Sequence, residues 1–209
     1  VEEHNAAMLA LSREYPELCD RFPIERCYYF HTKARYCLAS QEPDRLDLWD
    51  ALKQAAHDEM DYADRVGSTV RKYHGLLYLS AAQQQLGDWQ GVEHTAETMR
   101  RLGAGTQQIF LEACSWGRLA EALAKQEKWD DLRELAEDIG AKFKNTPRGI
   151  SKDFGFEMRQ LSARARIAAD TKDIHPLGLM SAFRHRCESG LSQLSVDGEH
   201  ENGRGRYVQ

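Results

Sequence analysis

Trp49, Trp89 and Trp129 stand forty residues apart, each near a polar break where one amphipathic run gives way to the next. Periods of roughly 20 to 50 residues mark arrays of supersecondary units, none of which can bury its apolar face alone, so that each must stack on its neighbours. This spacing constrains the architecture more than any local motif in the chain.

The clearest helical pattern runs over 106–126, where Ile109, Ala113, Trp116, Ala120 and Leu123 recur at alternating steps of four and three. Such steps line one face of an α-helix. After the polar turn Glu127-Lys128, a second stripe at Leu132, Leu135, Ala136, Ile139 and Phe143 predicts a return helix, and hence an antiparallel hairpin. Forty residues earlier, Val70, Tyr73, Leu76, Leu77, Leu79 and Leu86 lead to Gly87-Asp88, and Val92, Ala96, Met99 and Leu102 form the return. Gly87 suits the left-handed conformation that ends a helix, and Asp88 can accept hydrogen bonds from the free amides opening the next. The tryptophan that follows is large enough to cover the point where the two helices diverge.

An earlier pair places one helix over 28–40, a break at Gln41-Glu42-Pro43-Asp44, and a second helix lined by Trp49, Leu52, Ala56, Met60, Ala63 and Val66. A last pair runs over 152–169, turns at Asp170-Thr171-Lys172-Asp173 and returns over 177–191, without a tryptophan at its turn. The expected organisation is a capping helix at 1–22 and a helical repeat domain at 23–193, with hairpins at about 24–66, 69–103, 106–143 and 152–191. The tail at 194–209 is polar and carries Gly203-Arg204-Gly205-Arg206, a composition expected to be disordered.

With 209 residues, 42% hydrophobic and 29% charged, the chain has the composition of a soluble globular protein. No apolar stretch approaches the roughly 20 residues needed to cross a bilayer, and Val1-Glu2-Glu3-His4 does not open a secretion signal, so a cytoplasmic location is expected. Cys19, Cys27, Cys37, Cys114 and Cys187 are odd in number and irregularly spaced, which predicts buried free thiols instead of a disulfide framework or zinc site. The net charge of -5 gives no global attraction to nucleic acid, although 42–64 is acid-rich and 142–186 leans basic.

Leu79-Ser80 with Leu86-Gly87-Asp88-Trp89, and Trp116 through Leu119-Ala120 to Trp129, resemble the tetratricopeptide-repeat family: a large residue, a Leu-small pair and an aromatic after the turn. The chain departs from the family at Val92 and Leu132, where alanine is usual, at Ala104, where the closing proline is missing, and in its longer period. The resemblance implies an all-α fold, an α-solenoid of antiparallel helical hairpins wound as a right-handed superhelix. Its concave groove would hold a peptide, a helix or a partner protein, as in a scaffold or adaptor. Matching the turn tryptophans puts His74, Leu77, Ala81, Gln84 and Gln85 on the groove side of one unit and Cys114, Gly117, Glu121, Ala124 and Lys125 in the next. His31 and Arg35 are the equivalents in the first unit. Only scattered cations occupy these helices, which argues against a clamp for a terminal carboxylate. An incompletely capped array can also form a homodimer through its terminal helices.

Two alternatives come from other residues. His57-Asp58, joined by His31 and Asp61 or Asp64, could hold a divalent metal in a helical hydrolase. The stripe through Trp49, Leu52, Ala56, Met60 and Ala63 instead sets His57 and Asp58 at or beyond the edge of the apolar face. Arg159, Arg164, Arg166, Arg184 and Arg186, with Phe154, Phe156 and Phe183, could serve a regulatory nucleic-acid-associated domain, but helical spacing spreads the arginines around the polar side. Gly103-x-Gly105 lacks the third glycine of a phosphate loop and follows no strand, and no Gly-x-Ser-x-Gly elbow occurs. Neither a catalytic residue, a metal, a cofactor, a nucleic acid nor a membrane is therefore expected, and the expected partner is a protein or peptide.

Overall fold

The structure is a computed structural model that describes residues 23, 26, 27, 29–31, 33, 45–105, 109–145 and 152–178. The expected capping helix at 1–22 and the tail at 194–209 lie outside these residues, as do Arg35, Phe183, Arg184 and Arg186. Among the described residues the regular structure is helical and contains no strand. The helices are α1 (Leu46–Val66), α2 (Thr69–Gln85), α3 (Trp89–Gly105), α4 (Ile109–Lys125), α5 (Trp129–Phe143), α6 (Lys152–Thr171) and the single turn α7 (His175–Gly178). None is long and apolar enough to cross a membrane. The chain divides into two compact units, Val1–Thr95 and Ala96–Gln209.

The first unit is built around α1 packed on α2. Leu48, Trp49, Leu52, Ala55, Ala56, Leu79 and Ala82 form a buried cluster with Cys27, and Phe30, Met60, Tyr78 and Leu86 pack against it. Glu59 is wholly buried on α1 and accepts a hydrogen bond from Nε of Arg71 at 2.9 Å. The Arg71 guanidinium also lies 4.7 Å from the centre of the Tyr62 ring. A buried carboxylate is costly unless paired, so the ion pair and the ring together fix the register of α1 on α2.

In the second unit α4, α5 and α6 are joined by three rings. Trp116 meets Phe143 edge-to-face at 5.7 Å, and Phe143 meets Phe154 at 6.2 Å. Nζ of Lys142 bonds the buried carboxylate of Glu112 and sits 5.2 Å over the Trp116 ring. On α6, Met158, Leu161, Ala165 and Ala168 are buried, as their spacing predicts. Gly103 marks a close approach of α3 and α4, since a Cβ there would lie 2.5 Å from the backbone nitrogen of Glu112. Its role is therefore steric.

The helix corners explain the forty-residue period. The amide of Asp88 donates to the carbonyl of Gln83 at 2.9 Å, and the amide of Lys128 donates to the carbonyl of Leu123 at 2.9 Å. Leu86 with Ala82, Gly87 with Gln84, Trp89 with Gly87 and Val92 with Asp88 recur as Gln126 with Ala122, Glu127 with Ala124, Trp129 with Glu127 and Leu132 with Lys128. Every one of these backbone bonds has its counterpart forty residues on. The left-handed residue that closes the helix is Gly87 (φ 74°) in one corner and Glu127 (φ 58°) in the other. The same closing bond also joins Ser68 to Ala63 after Gly67 (φ 67°), and Asp173 to Ala168 after Lys172 (φ 53°). Asp88 caps α3 as expected, its Oδ1 accepting from the amide of Gly91 at 2.9 Å, and Ser68 caps α2 in the same way through Arg71.

One expectation requires correction. Trp89 and Trp129 are the first residues of α3 and α5 and are half-buried, whereas Trp49 is the fourth residue of α1 and only 2% exposed. Leu46, not Trp49, holds the position equivalent to the other two. The equal spacing of the three tryptophans therefore joins two corner residues and one core residue. A full turn into the helix, Trp49 is buried in the packed face, whereas at the corners Trp89 and Trp129 are only partly buried.

Candidate functional site

The residues assigned to a groove fall on three segments. His31 stands in the first unit with its ring 5.4 Å from Tyr78 and 6.4 Å from Trp49, both edge-to-face. Pairs of this geometry contribute about 1 kcal/mol each beyond area burial, so His31 braces the aromatic wall of that unit. On α2, Leu77 is buried, His74, Ala81 and Gln84 are half-buried, and Gln85 is exposed. On α4, Cys114 and Ala124 are buried, Gly117 and Glu121 are half-buried, and Lys125 is exposed. His31, His74, Gln84, Glu121 and Lys125 are all engaged by polar or ring contacts within the molecule.

Two partly exposed stripes follow from this. From Glu112 to Lys125, only Gly117, Glu121 and Lys125 of α4 reach solvent. Forty residues earlier on α2, Ala81 and Gln85 have the same exposures as Glu121 and Lys125, and the helix closes with the same hydrogen bonds. Leu77 breaks the match with Gly117, because a leucine there reaches into the core while glycine leaves the surface open. The buried positions also correspond: Leu76, Leu79, Ala82, Val92, Ala96 and Met99 are matched by Trp116, Leu119, Ala122, Leu132, Ala136 and Ile139. At one matched position the chemistry changes. Gln83 and Thr95 are buried and joined by a 2.9 Å hydrogen bond, where Leu123 and Leu135 stand forty residues on.

The residues considered for other chemistry are placed as follows. His57 is exposed, and the Asp58 carboxylate is bound by Arg26 and by Gln54. No group of three or more His, Cys, Asp or Glu side chains suited to a metal ion occurs among the described residues. Cys27 and Cys114 are free and buried. Phe154 belongs to the ring stack of the second unit, while Phe156 is exposed. Arg159 donates to the carbonyl of Phe143 at 3.3 Å.

A cleft of about 370 Å³ between α5 and α6 was not visible in the sequence. Ala136, Gly140 and Ala141 floor it, Ser162 hydrogen-bonds across to the Ala136 carbonyl at 2.7 Å, and Glu137, Lys144 and Arg166 rim it. Its only sequence signal is the run of small residues on α5, which any close helix crossing also requires.

Comparison with family models, with curated proteins and with solved structures finds no match to this chain.

Proposed function

We propose that the chain is a protein-interaction module of the tetratricopeptide-like kind, a scaffold or adaptor in the cytoplasm that holds a peptide or partner helix. The observation that supports this reading most is the coincidence of the Ala81–Gln85 and Glu121–Lys125 stripes with corners of identical hydrogen bonding. Arrays of helical hairpins bind through side chains that recur at one position in successive units, while the conserved geometry of the corner holds those positions in register. Here the exposed end of the stripe is an amide, Gln85, in one unit and an ammonium, Lys125, in the other, while the position a turn earlier is apolar at Ala81 and anionic at Glu121. The stripe therefore suits a helix or extended peptide carrying both amide and charged groups.

The test is a screen of the whole chain against a displayed library of helical and extended peptides, followed by nuclear magnetic resonance mapping of the binders. Shift changes centred on His74, Gln84 and Gln85 in the first unit, or on Glu121 and Lys125 in the second, support the reading, together with at least a tenfold loss of affinity in Glu121→Lys or Lys125→Glu, at unchanged melting temperature, for binders that map to the second unit. Binders that map elsewhere, or second-unit binders that ignore both substitutions, contradict it.

A further inference from the structure

Three charged side chains at the cleft between α5 and α6 are left unpaired. The ion pairs of these helices run from Arg133 to Asp130 and Asp170 and from Lys142 to Glu112, and among the described residues none takes in Glu137, Lys144 or Arg166. All three line one cleft of about 370 Å³, within the range of small-ligand sites. Its floor is small and apolar, formed by Ala136, Gly140 and Ala141. Gly140 keeps that floor low, because a Cβ there would lie 2.9 Å from Oγ of Ser162, which is itself held by its hydrogen bond to the Ala136 carbonyl.

The helices run antiparallel, since Arg133 meets Asp170 at one end and the Phe143 carbonyl meets Arg159 at the other. Lys144 continues α5 in helical conformation and lies four residues past Gly140, while Arg166 lies four residues past Ser162 in the opposite direction. At about 1.5 Å per residue, each cation stands roughly 6 Å along the axis from the crossing of Gly140 and Ser162, at opposite ends of the cleft. Glu137, three residues before Gly140, shares the Arg166 end. One end is thus cationic and the other carries both signs.

We propose that this cleft binds a free acidic α-amino acid of the glutamate kind. Its α-carboxylate lies on Arg166, whose planar guanidinium matches a carboxylate through two bonds, and its ammonium lies on Glu137. The methylenes cross the floor of Ala136, Gly140 and Ala141, and the side-chain carboxylate reaches Lys144. Charge selects this ligand class. A plain dicarboxylate sets an anion beside Glu137, and a monoanion leaves one cation unused. Glu137, Ala141, Lys144 and Arg166 are exposed, so affinity rests on the charge pairs and weakens with salt. The cleft shares no residue with the Ala81–Gln85 or Glu121–Lys125 stripes, and its ligand is independent of the partner proposed for them.

Titration of the full chain with L-glutamate at low salt, read by calorimetry and by amide shifts, tests the assignment. Saturable binding is expected, with shifts centred on Gly140, Ser162 and Arg166. A hydrogen bond to a charged group is worth about a factor of ten or more in affinity, so Lys144→Gln and Arg166→Gln should each weaken binding about tenfold. Ala141→Leu fills the floor without changing charge and should weaken it as much. Glutarate, which lacks the ammonium, should bind the parent more weakly than glutamate does, and Glu137→Gln should remove or reverse that preference. The substituted side chains are exposed, and an unchanged circular-dichroism melt verifies that the variants stay folded. Absence of saturable binding, inorganic phosphate binding as tightly as glutamate, shifts confined to other parts of the chain, or a Glu137→Gln variant with the parent's preference overturns the proposal.

Discussion

Glu127 occupies, forty residues on, the left-handed turn position that Gly87 fills, with the flanking hydrogen bonds unchanged. A side chain with a Cβ pays roughly 1 kcal/mol for that conformation, and glycine does not. Glu127→Gly is therefore expected to stabilise the protein by about 1 kcal/mol, raising the melting temperature by roughly 2–4 °C for a chain of this size. Gly87→Ala is expected to lower stability by a similar amount. Thermal denaturation of the two variants measures both, and a destabilised Glu127→Gly contradicts the account of the corner.

Gly103 and Gly105 lie two residues apart on α3 and should respond oppositely to alanine. At Gly103 a Cβ meets the backbone of Glu112, which cannot rotate aside, whereas at Gly105 nothing lies within 4 Å. Overpacking at Gly103 costs about 1–3 kcal/mol, which exceeds the gain of up to about 1 kcal/mol from alanine's helix propensity. Gly105→Ala keeps only the favourable part and is neutral or stabilising. Chemical denaturation of both variants tests the contrast, and equal effects at the two sites count against the helix crossing.

The buried pair of Gln83 and Thr95 stands where Leu123 and Leu135 stand in the matched positions. Thr95→Val leaves the Gln83 amide without its hydroxyl and is expected to cost about 1–3 kcal/mol. Gln83→Leu/Thr95→Val removes both polar groups and should recover most of that loss. A double-mutant cycle by chemical denaturation reads the coupling, and strictly additive effects exclude it.

Arg45 beside Asp47 holds that carboxyl below the ordinary aspartate value, chiefly through their side-chain hydrogen bonds at 2.8 Å. A depressed carboxylate contributes stability that is present above its unfolded pKa and lost as pH falls through the folded value. The Asp47 carboxyl should therefore titrate below the ordinary aspartate range by nuclear magnetic resonance, and Arg45→Gln should move the midpoint up. A midpoint unaffected by Arg45→Gln contradicts the pairing.

The helices and their corners were legible because both are local. Leu132, Ala136 and Ile139 repeat at helical steps, and Gly87-Asp88 carries its turn chemistry in two adjacent residues. The Glu127 corner was harder to read, since no glycine announces its left-handed residue; only the matched register exposes it. The candidate site was less legible than the fold. Leu77 lies on the same helix face as Gln84, seven residues on, yet it is buried while Gln84 is half-buried. Spacing along a helix fixes an angle, and exposure at that angle depends on how closely the neighbouring helices pack.

By itself, the sequence determined the helical periods, the capping of α3 by Asp88 and the forty-residue correspondence between the two corners, all set by side-chain spacing and backbone conformation within a few residues. Tertiary structure alone decided that Trp89 and Trp129 are only partly buried at their corners, and that His31 braces Trp49 and Tyr78. It also decided that Gly103 is a point of helix contact, and that Phe156 and Ile167 remain exposed on the outer face of α6. Each of these depends on contacts between residues far apart in sequence, where burial is settled by packing instead of by local preference.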